Sequence, residues 1–204
     1  MTTALVIGAS GGIGSACVDK LLHHGYNVTT LTSADLDLNY PERIFDQDFS
    51  NIDILINCAG HSRGSYQGFL QNSWQNQLSQ ITVNYTSNLF LLKHYANSRT
   101  NGQYVWISSI LMDNARPFHS TYASSKVGSK FAIDLISQEA VHINVLEVKV
   151  GPTRTNFRSN NFNGSCTKEE VNRLYNEDNA LTADYVAESI VQSLPNNLKE
   201  IYIK

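Results

Sequence analysis

The chain has 204 residues, enough for one well-buried domain and short for two. Its 42% hydrophobic and 16% charged residues describe an ordinary globular protein, and a net charge of −3 gives no electrostatic reason to expect nucleic acid or an anionic membrane as partner. No apolar run approaches the about 18 residues of a membrane span, and the first residues enter a strand pattern without a basic leader, so a cytoplasmic protein is expected.

Three cysteines, Cys17, Cys58 and Cys166, are odd in number and widely spaced. They form neither a disulfide framework nor a zinc spacing. The six histidines show no metal-ligand spacing either, so no metal is expected.

Apolar runs of strand length alternate with amphipathic helical stretches, the pattern of a parallel sheet covered on both faces. A first strand is predicted at residues 4–7, a glycine turn at 8–14, and then a helix carrying Ile13, Cys17 and Leu21 on one side. Gly25 suits the left-handed position that ends a helix, and His23 and His24 before it read as helix punctuation. A second strand follows at 27–32, with a short third strand around Leu36 and Leu38. Residues 52–57 form a nearly continuous apolar strand. Trp74, Leu78, Ile81, Tyr85, Leu89 and Leu92 then recur at spacings of three and four, a long helix whose stripe reads as core.

Further strands are predicted at 104–107, 143–150 and 201–203, and helices at 122–136 and from Thr182, as cap, to Leu194. Residues 156–164 are rich in Asn, Ser and Gly and read as a loop; as far as Thr167 this stretch is expected to cover a substrate. With no repeats or linkers, the fold class is α/β: a single doubly wound Rossmann-type domain over residues 1–204, its mostly parallel sheet flanked by helices.

A strand, a glycine turn and a helix together form a dinucleotide-binding context. Gly8 permits the sharp turn off the strand, and Gly12 lets the backbone approach a pyrophosphate. Gly14 lets the helix lie close to the strand, and the helix N-terminus offers free N–H groups to an anion. In such sites an acid at the end of the second strand grips the ribose 2′-hydroxyl that NAD requires. Here Thr32 and Ser33 stand there, hydroxyls able to meet a 2′-phosphate. That favours NADP, with NAD as the alternative through nearby Asp35.

Tyr122 and Lys126 lie four apart on a predicted helix, hence on one face. A phenol normally titrates near ~10, and a neighbouring ammonium lowers that value. The expectation is that Lys126 tunes Tyr122 to exchange a proton during hydride transfer at a carbonyl or alcohol.

Taken together these residues resemble the short-chain dehydrogenase/reductase family over nearly the whole chain. The turn Gly8-Ala9-Ser10-Gly11-Gly12-Ile13-Gly14 resembles the family's Gly-x-x-x-Gly-x-Gly. Asn57-Cys58-Ala59-Gly60 resembles its Asn-Asn-Ala-Gly, and Asn84 resembles the helix asparagine of its catalytic tetrad. Ser109, the second of a serine pair thirteen residues before Tyr122, resembles the catalytic serine. The segment with Gly151, Thr153 and Thr155 resembles the one that binds the nicotinamide carboxamide.

Ile7, Cys58 and Val150 depart from the family's threonine, asparagine and proline. Compression between Ser33 and Ile52 makes Asp35 and Leu36 the expected adenine-side contacts.

The resemblance implies an oxidoreductase moving hydride between NADP(H) and a ketone, aldehyde or 3-oxoacyl substrate, or the corresponding alcohol. Tyr122 would be the acid or base, and Ser109 would hold the substrate oxygen. Lys126 would lower the Tyr122 pKa and hold the nicotinamide ribose hydroxyls, and Asn84 would order a relay water. Phe118 and His119 are expected to wall the pocket. A homodimer is expected, through the long apolar stripe and the helix after Tyr122, with a tetramer open. The alternative function is a nucleotide-sensing protein that keeps the fold without turnover. A sugar-nucleotide epimerase is disfavoured, because only about 50 residues follow Gly151 where those enzymes carry a substrate domain.

Overall fold

The computed structural model of the chain describes residues 1–114, 116–161, 169 and 180–204. It opens with strand β1 (Thr3–Ile7), helix α1 (Gly12–His23) and strand β2 (Asn27–Leu31). Strand β3 (Ile54–Asn57) leads to α2 (Trp74–Ile81) and α3 (Ser87–Ser98), joined by one π-helical turn, Thr82–Thr86. Strand β4 (Gly102–Ile107), the 20-residue helix α4 (Ser120–Glu139) and strand β5 (Ile143–Val150) follow. After these come the short β6 (Thr153–Arg154), α5 (Phe157–Asn161) and β7 (Leu181–Thr182), then α6 (Ala183–Ser193) and β8 (Glu200–Ile203).

Six strands form one sheet in the order β2-β1-β3-β4-β5-β8, every pair parallel. Side chains alternate between its faces, as the period of two demands. Leu5 and Ile7 of β1 pack with Leu91 and Leu92 of α3, whereas Ala4 and Val6 pack with Cys17 and Leu21 of α1 and Ile190 of α6. Both faces are therefore covered, which is why β1, β3 and β5 read as apolar runs.

From β1 the chain first turns outward to β2 and then crosses to β3 on the other side. That reversal opens a crevice beyond the carboxyl ends of β1 and β3, where ligands bind in such sheets.

The structure differs from the sequence reading in four places. No third strand forms at Leu36 and Leu38. Both are buried against Ile44 and Phe49 in an irregular segment, followed by a 3₁₀ turn, Pro41–Asp46. Turn bonds from Asp35 N and Leu36 N to Thr32 O curl the chain too early for strand pairing.

The stripe from Trp74 is core only at its far end. Leu92 is fully buried, but Trp74 is 68% and Leu78 54% exposed. With Ile81 they lie beside α4, where Val127, Phe131 and Leu135 are also exposed.

The expected loop at 156–164 contains the helix α5, and its residues 162–164, with the rest of the expected substrate cover as far as Thr167, lie outside the described residues. The two-residue pairing of β6 with β7 was not anticipated. Elsewhere Thr182 caps α6 as expected, accepting from Tyr185 N at 3.1 Å. No described helix is long and apolar enough to cross a membrane, and no described His, Cys, Asp and Glu residues group as metal ligands.

Candidate active site

Turns leaving β1, β3, β4 and β5 surround a cavity of about 470 Å³ at the carboxyl edge of the sheet. Every catalytic or cofactor-binding residue singled out from the sequence lines it except Asp35, Asn57 and Asn84. Those three act one layer out.

The turn after β1 is built for close approach. Gly8 has φ +77, and a Cβ on it would lie 2.8 Å from Ala59 N, so only glycine lets the turns after β1 and β3 meet. A Cβ on Gly14 would lie 2.2 Å from Gly8 O. The N-terminus of α1 has no side-chain cap and no acid in its first turn, leaving its N–H groups for an anion. A Cβ on Gly12 would strike the Thr155 side chain at 2.5 Å, which places the segment after β5 directly across from this turn. These features fit a dinucleotide.

At the β2 end, Thr32 donates from both its N and Oγ1 to Asp35 Oδ2, at 2.9 and 2.8 Å. These bonds hold the Asp35 carboxyl below its usual range. Asp35 therefore grips its own strand end without entering the lining, while Asp37 and Asn39, unforeseen from the sequence, do line the cavity. Asn57 Nδ2 donates to Asn88 Oδ1 at 2.9 Å, and its Oδ1 accepts from Ala59 N at 3.1 Å, tying the turn after β3 to α3.

At the other end α4 presents Tyr122 and Lys126 one turn apart, both buried. Ser109, the cap of a short turn after β4, accepts from Leu111 N at 3.2 Å. Burial pushes the Tyr122 phenol up to about 12, and a hydrogen bond with the Ser109 side chain offsets part of that rise. Burial also holds Lys126 down, at about 8.

The direction of the Tyr122 shift is thus set by burial rather than by the Lys126 charge. The ammonium lies 6.0 Å from the Tyr122 ring centre and donates to Ile107 O at 2.8 Å. Tyr122 is a protonated phenol across the neutral range.

Asn84 sits in the π-helical turn and does not reach the cavity. Its Oδ1 accepts from His61 N, its Nδ2 donates to His61 O and Ser125 Oγ, and its own carbonyl accepts from Ser129 Oγ. Gly60 is small for this reason, since a Cβ there would lie 3.0 Å from Asn84 Oδ1.

His119 lines the cavity as expected, its ring edge-on to Tyr66 at 5.3 Å. Phe118 does not line it. At φ 69 its ring packs on Gly68 instead. Phe157 of α5 stands edge-on to Tyr122 at 6.0 Å, and Asn161 accepts from Ser62 N at 3.1 Å, which docks α5 against the turn after β3. Arg63, Arg116 and Arg158 also line the cavity. Sequence reasoning missed them because they come from three separate segments with no shared motif.

The sequence profile of the short chain dehydrogenase family matches residues 42–165, more than half of the 204-residue chain. Nodulation protein G of Rhizobium sp. (strain N33) is 28% identical over 178 residues, covering 73% of this chain and 71% of that protein.

Among solved structures, a short-chain dehydrogenase from Sphingobium yanoikuyae in complex with NADPH superposes with a TM-score of 0.77 at 20% identity. The match covers 99% of this chain and 87% of that one. A short chain dehydrogenase from Burkholderia cenocepacia J2315 in complex with NADP gives 0.80 at 19% identity, covering 100% and 88%. The structural matches carry the fold, and the profile match, with the glycine turn and the Tyr122–Lys126 helix it stands beside, carries the family: the chain belongs to the short-chain dehydrogenases, NAD(P)-dependent oxidoreductases.

Proposed function

We propose that the protein transfers hydride between NADP(H) and a small carbonyl or alcohol substrate, with Ser109, Tyr122 and Lys126 as the reacting constellation and residues 1–204 acting as one cofactor-binding domain. The observation that carries this reading is the Ser109–Tyr122 hydroxyl pair, buried on the wall of the cavity whose other end is the glycine turn. Two hydroxyls so placed can both reach one carbonyl oxygen.

When bound, the dinucleotide supplies or accepts the hydride. The uncapped N-terminus of α1 would hold its pyrophosphate, and Thr32 and Ser33 would face the 2′-phosphate. The solved NADP and NADPH complexes that share the fold support this choice of cofactor. Asp35 and Asp37 bring negative charge to that end, and NAD is the alternative they would favour.

During reduction, charge develops on the carbonyl oxygen as hydride reaches the carbon. Tyr122, kept protonated by burial, gives its proton to that oxygen, and Ser109 stabilises the charge beforehand. In oxidation the proton returns to Tyr122. Lys126, fixed to Ile107 O and close to Gly60, is positioned to meet ribose hydroxyls. Asn84 supports this arrangement by clamping the His61 peptide, beside the water relay expected of it.

The exposed apolar residues of α2 and α4 support a homodimer formed through that face. The composition supports a cytoplasmic location. The experiment is NADPH consumption against a panel of ketones, aldehydes and acyl thioesters. Oxidation of NADPH by any class supports the reading, and tight cofactor binding without turnover on every class would support the sensing alternative.

A further inference from the structure

Among the described residues four lysines and arginines line this cavity: Arg63, Arg116, Lys126 and Arg158. Among the described residues the lining contains a single carboxylate, Asp37, which sits with Thr32 and Asn39 past the end of β2. Charge within the cavity is therefore sorted, negative at the adenosine end and positive around Tyr122. In a chain of net charge −3 this is a local concentration against the overall balance.

The three guanidiniums come from different segments. Arg63 follows β3, Arg116 precedes α4, and Arg158 lies on α5, next to the Phe157 ring that meets Tyr122. Among the described residues, neither Arg63 nor Arg116 forms a salt bridge. His119, one turn before Tyr122, is held below its ordinary range by burial first, against a hydrogen bond to Pro117 O, with the charges of Arg116 and Arg158 adding to the lowering. His61 is likewise held at about 4 by burial, with Arg63 and Lys126 contributing.

The pyrophosphate of a dinucleotide does not call for these groups, because the open N-terminus of α1 already offers N–H donors to it. A guanidinium presents a planar fork that matches the two oxygens of a carboxylate or phosphate.

We propose that the substrate of this site is a carbonyl compound bearing an oxyanion, a carboxylate or a phosphate monoester, held by Arg116 and Arg158 at the cavity mouth with Arg63 adding to the field. The proposal rests on the oxidoreductase reading above and names its substrate class. The charged end stays at the mouth, the apolar body lies against Tyr66 and Phe157, and the carbonyl reaches Ser109 and Tyr122.

The test reads binding to the protein saturated with NADP⁺, by calorimetry, so that it does not depend on turnover. Two matched pairs are the probes: 4-oxopentanoate against its methyl ester, and dihydroxyacetone phosphate against dihydroxyacetone. The charged member of at least one pair is expected to bind about tenfold tighter or more, the gain typical of a hydrogen bond to a charged group. Which pair shows it identifies carboxylate or phosphate. The advantage should shrink as salt is raised, fall in Arg116→Gln and in Arg158→Gln, and return in part in Arg116→Lys.

Equal binding within both pairs overturns the proposal. So does an advantage that both glutamine variants leave intact, or an Arg116→Gln variant that loses NADP⁺ affinity while keeping the advantage, which would assign the guanidinium to the cofactor. NADPH consumption with the same probes is scored separately. A charged probe that binds preferentially while no compound in the panel is turned over removes the redox reading and leaves the anion site standing.

Discussion

Asn84 holds both sides of the His61 peptide, accepting from its N–H at 3.0 Å and donating to its carbonyl at 2.9 Å. This clamp fixes the turn that carries Gly60, Ser62 and Arg63 into the cavity wall. Asn84→Ala leaves two part-buried backbone groups without their Asn84 partner, and stability is expected to fall by about 2 kcal/mol. Urea unfolding measures this directly. An unchanged midpoint would mean that the clamp contributes nothing and would return Asn84 to the relay role.

The cofactor end yields a prediction of direction. Asp35 places a carboxylate where a 2′-phosphate would approach Thr32, and it draws the Thr32 hydroxyl to itself. Asp35→Ala removes that charge and frees the hydroxyl. The ratio of NADPH to NADH affinity, titrated by fluorescence, should rise in the variant. A ratio shifted toward NADH would instead make Asp35 the ribose ligand.

Lys126 makes the stability of the fold depend on pH. Burial lowers it from 10.5 to about 8, so between those values the unfolded chain holds a proton that the folded chain has released. Stability from this group therefore rises with pH through that window and is lowest below it, an effect of at most about 3 kcal/mol. Tyr122 acts in the opposite sense, but only above pH 10, toward about 12. Lys126→Met should lose the rise. The difference in melting temperature between variant and wild type should move against the variant from neutral pH to the upper end of the window, and parallel curves would contradict the buried-ammonium account.

The exposed apolar face predicts assembly. Phe131 is 69% exposed on α4, one turn from exposed Leu135, and α4 packs against α2, where Trp74 and Leu78 are exposed. Light scattering should find a homodimer at micromolar concentration, and Phe131→Glu should yield the 22.7 kDa monomer. A wild-type monomer would show that this face has another purpose.

What was legible in the sequence was local. The glycine turn from Gly8 to Gly14 is a run of seven residues whose spacing carries its own reason, and the step from Tyr122 to Lys126 is one helical turn. What escaped was tertiary. The period that carries Trp74, Leu78 and Leu92 is the same whether a helix face meets the sheet or solvent, so it could not reveal that the face changes role along its length. Leu36 and Leu38 are apolar at strand spacing, yet the bonds back to Thr32 O curl the chain before a strand can pair. The Tyr122–Lys126 spacing suggested a lowered phenol pKa, whereas the depth of burial, which no spacing encodes, pushes it upward. Arg63, Arg116 and Arg158 meet only because the turn after β3, the approach to α4 and α5 converge.

The central claim is that the Tyr122 hydroxyl carries the proton of the reaction, and Tyr122→Phe tests it most directly. The variant keeps the ring and its contact with Phe157 and removes only the hydroxyl, so NADPH affinity should stay near that of the wild type. Turnover on the best substrate from the panel should fall by ~10²–10⁴, the usual contribution of a positioned acid. A Tyr122→Phe protein that binds NADPH and reduces that substrate at near the wild-type rate would contradict the account.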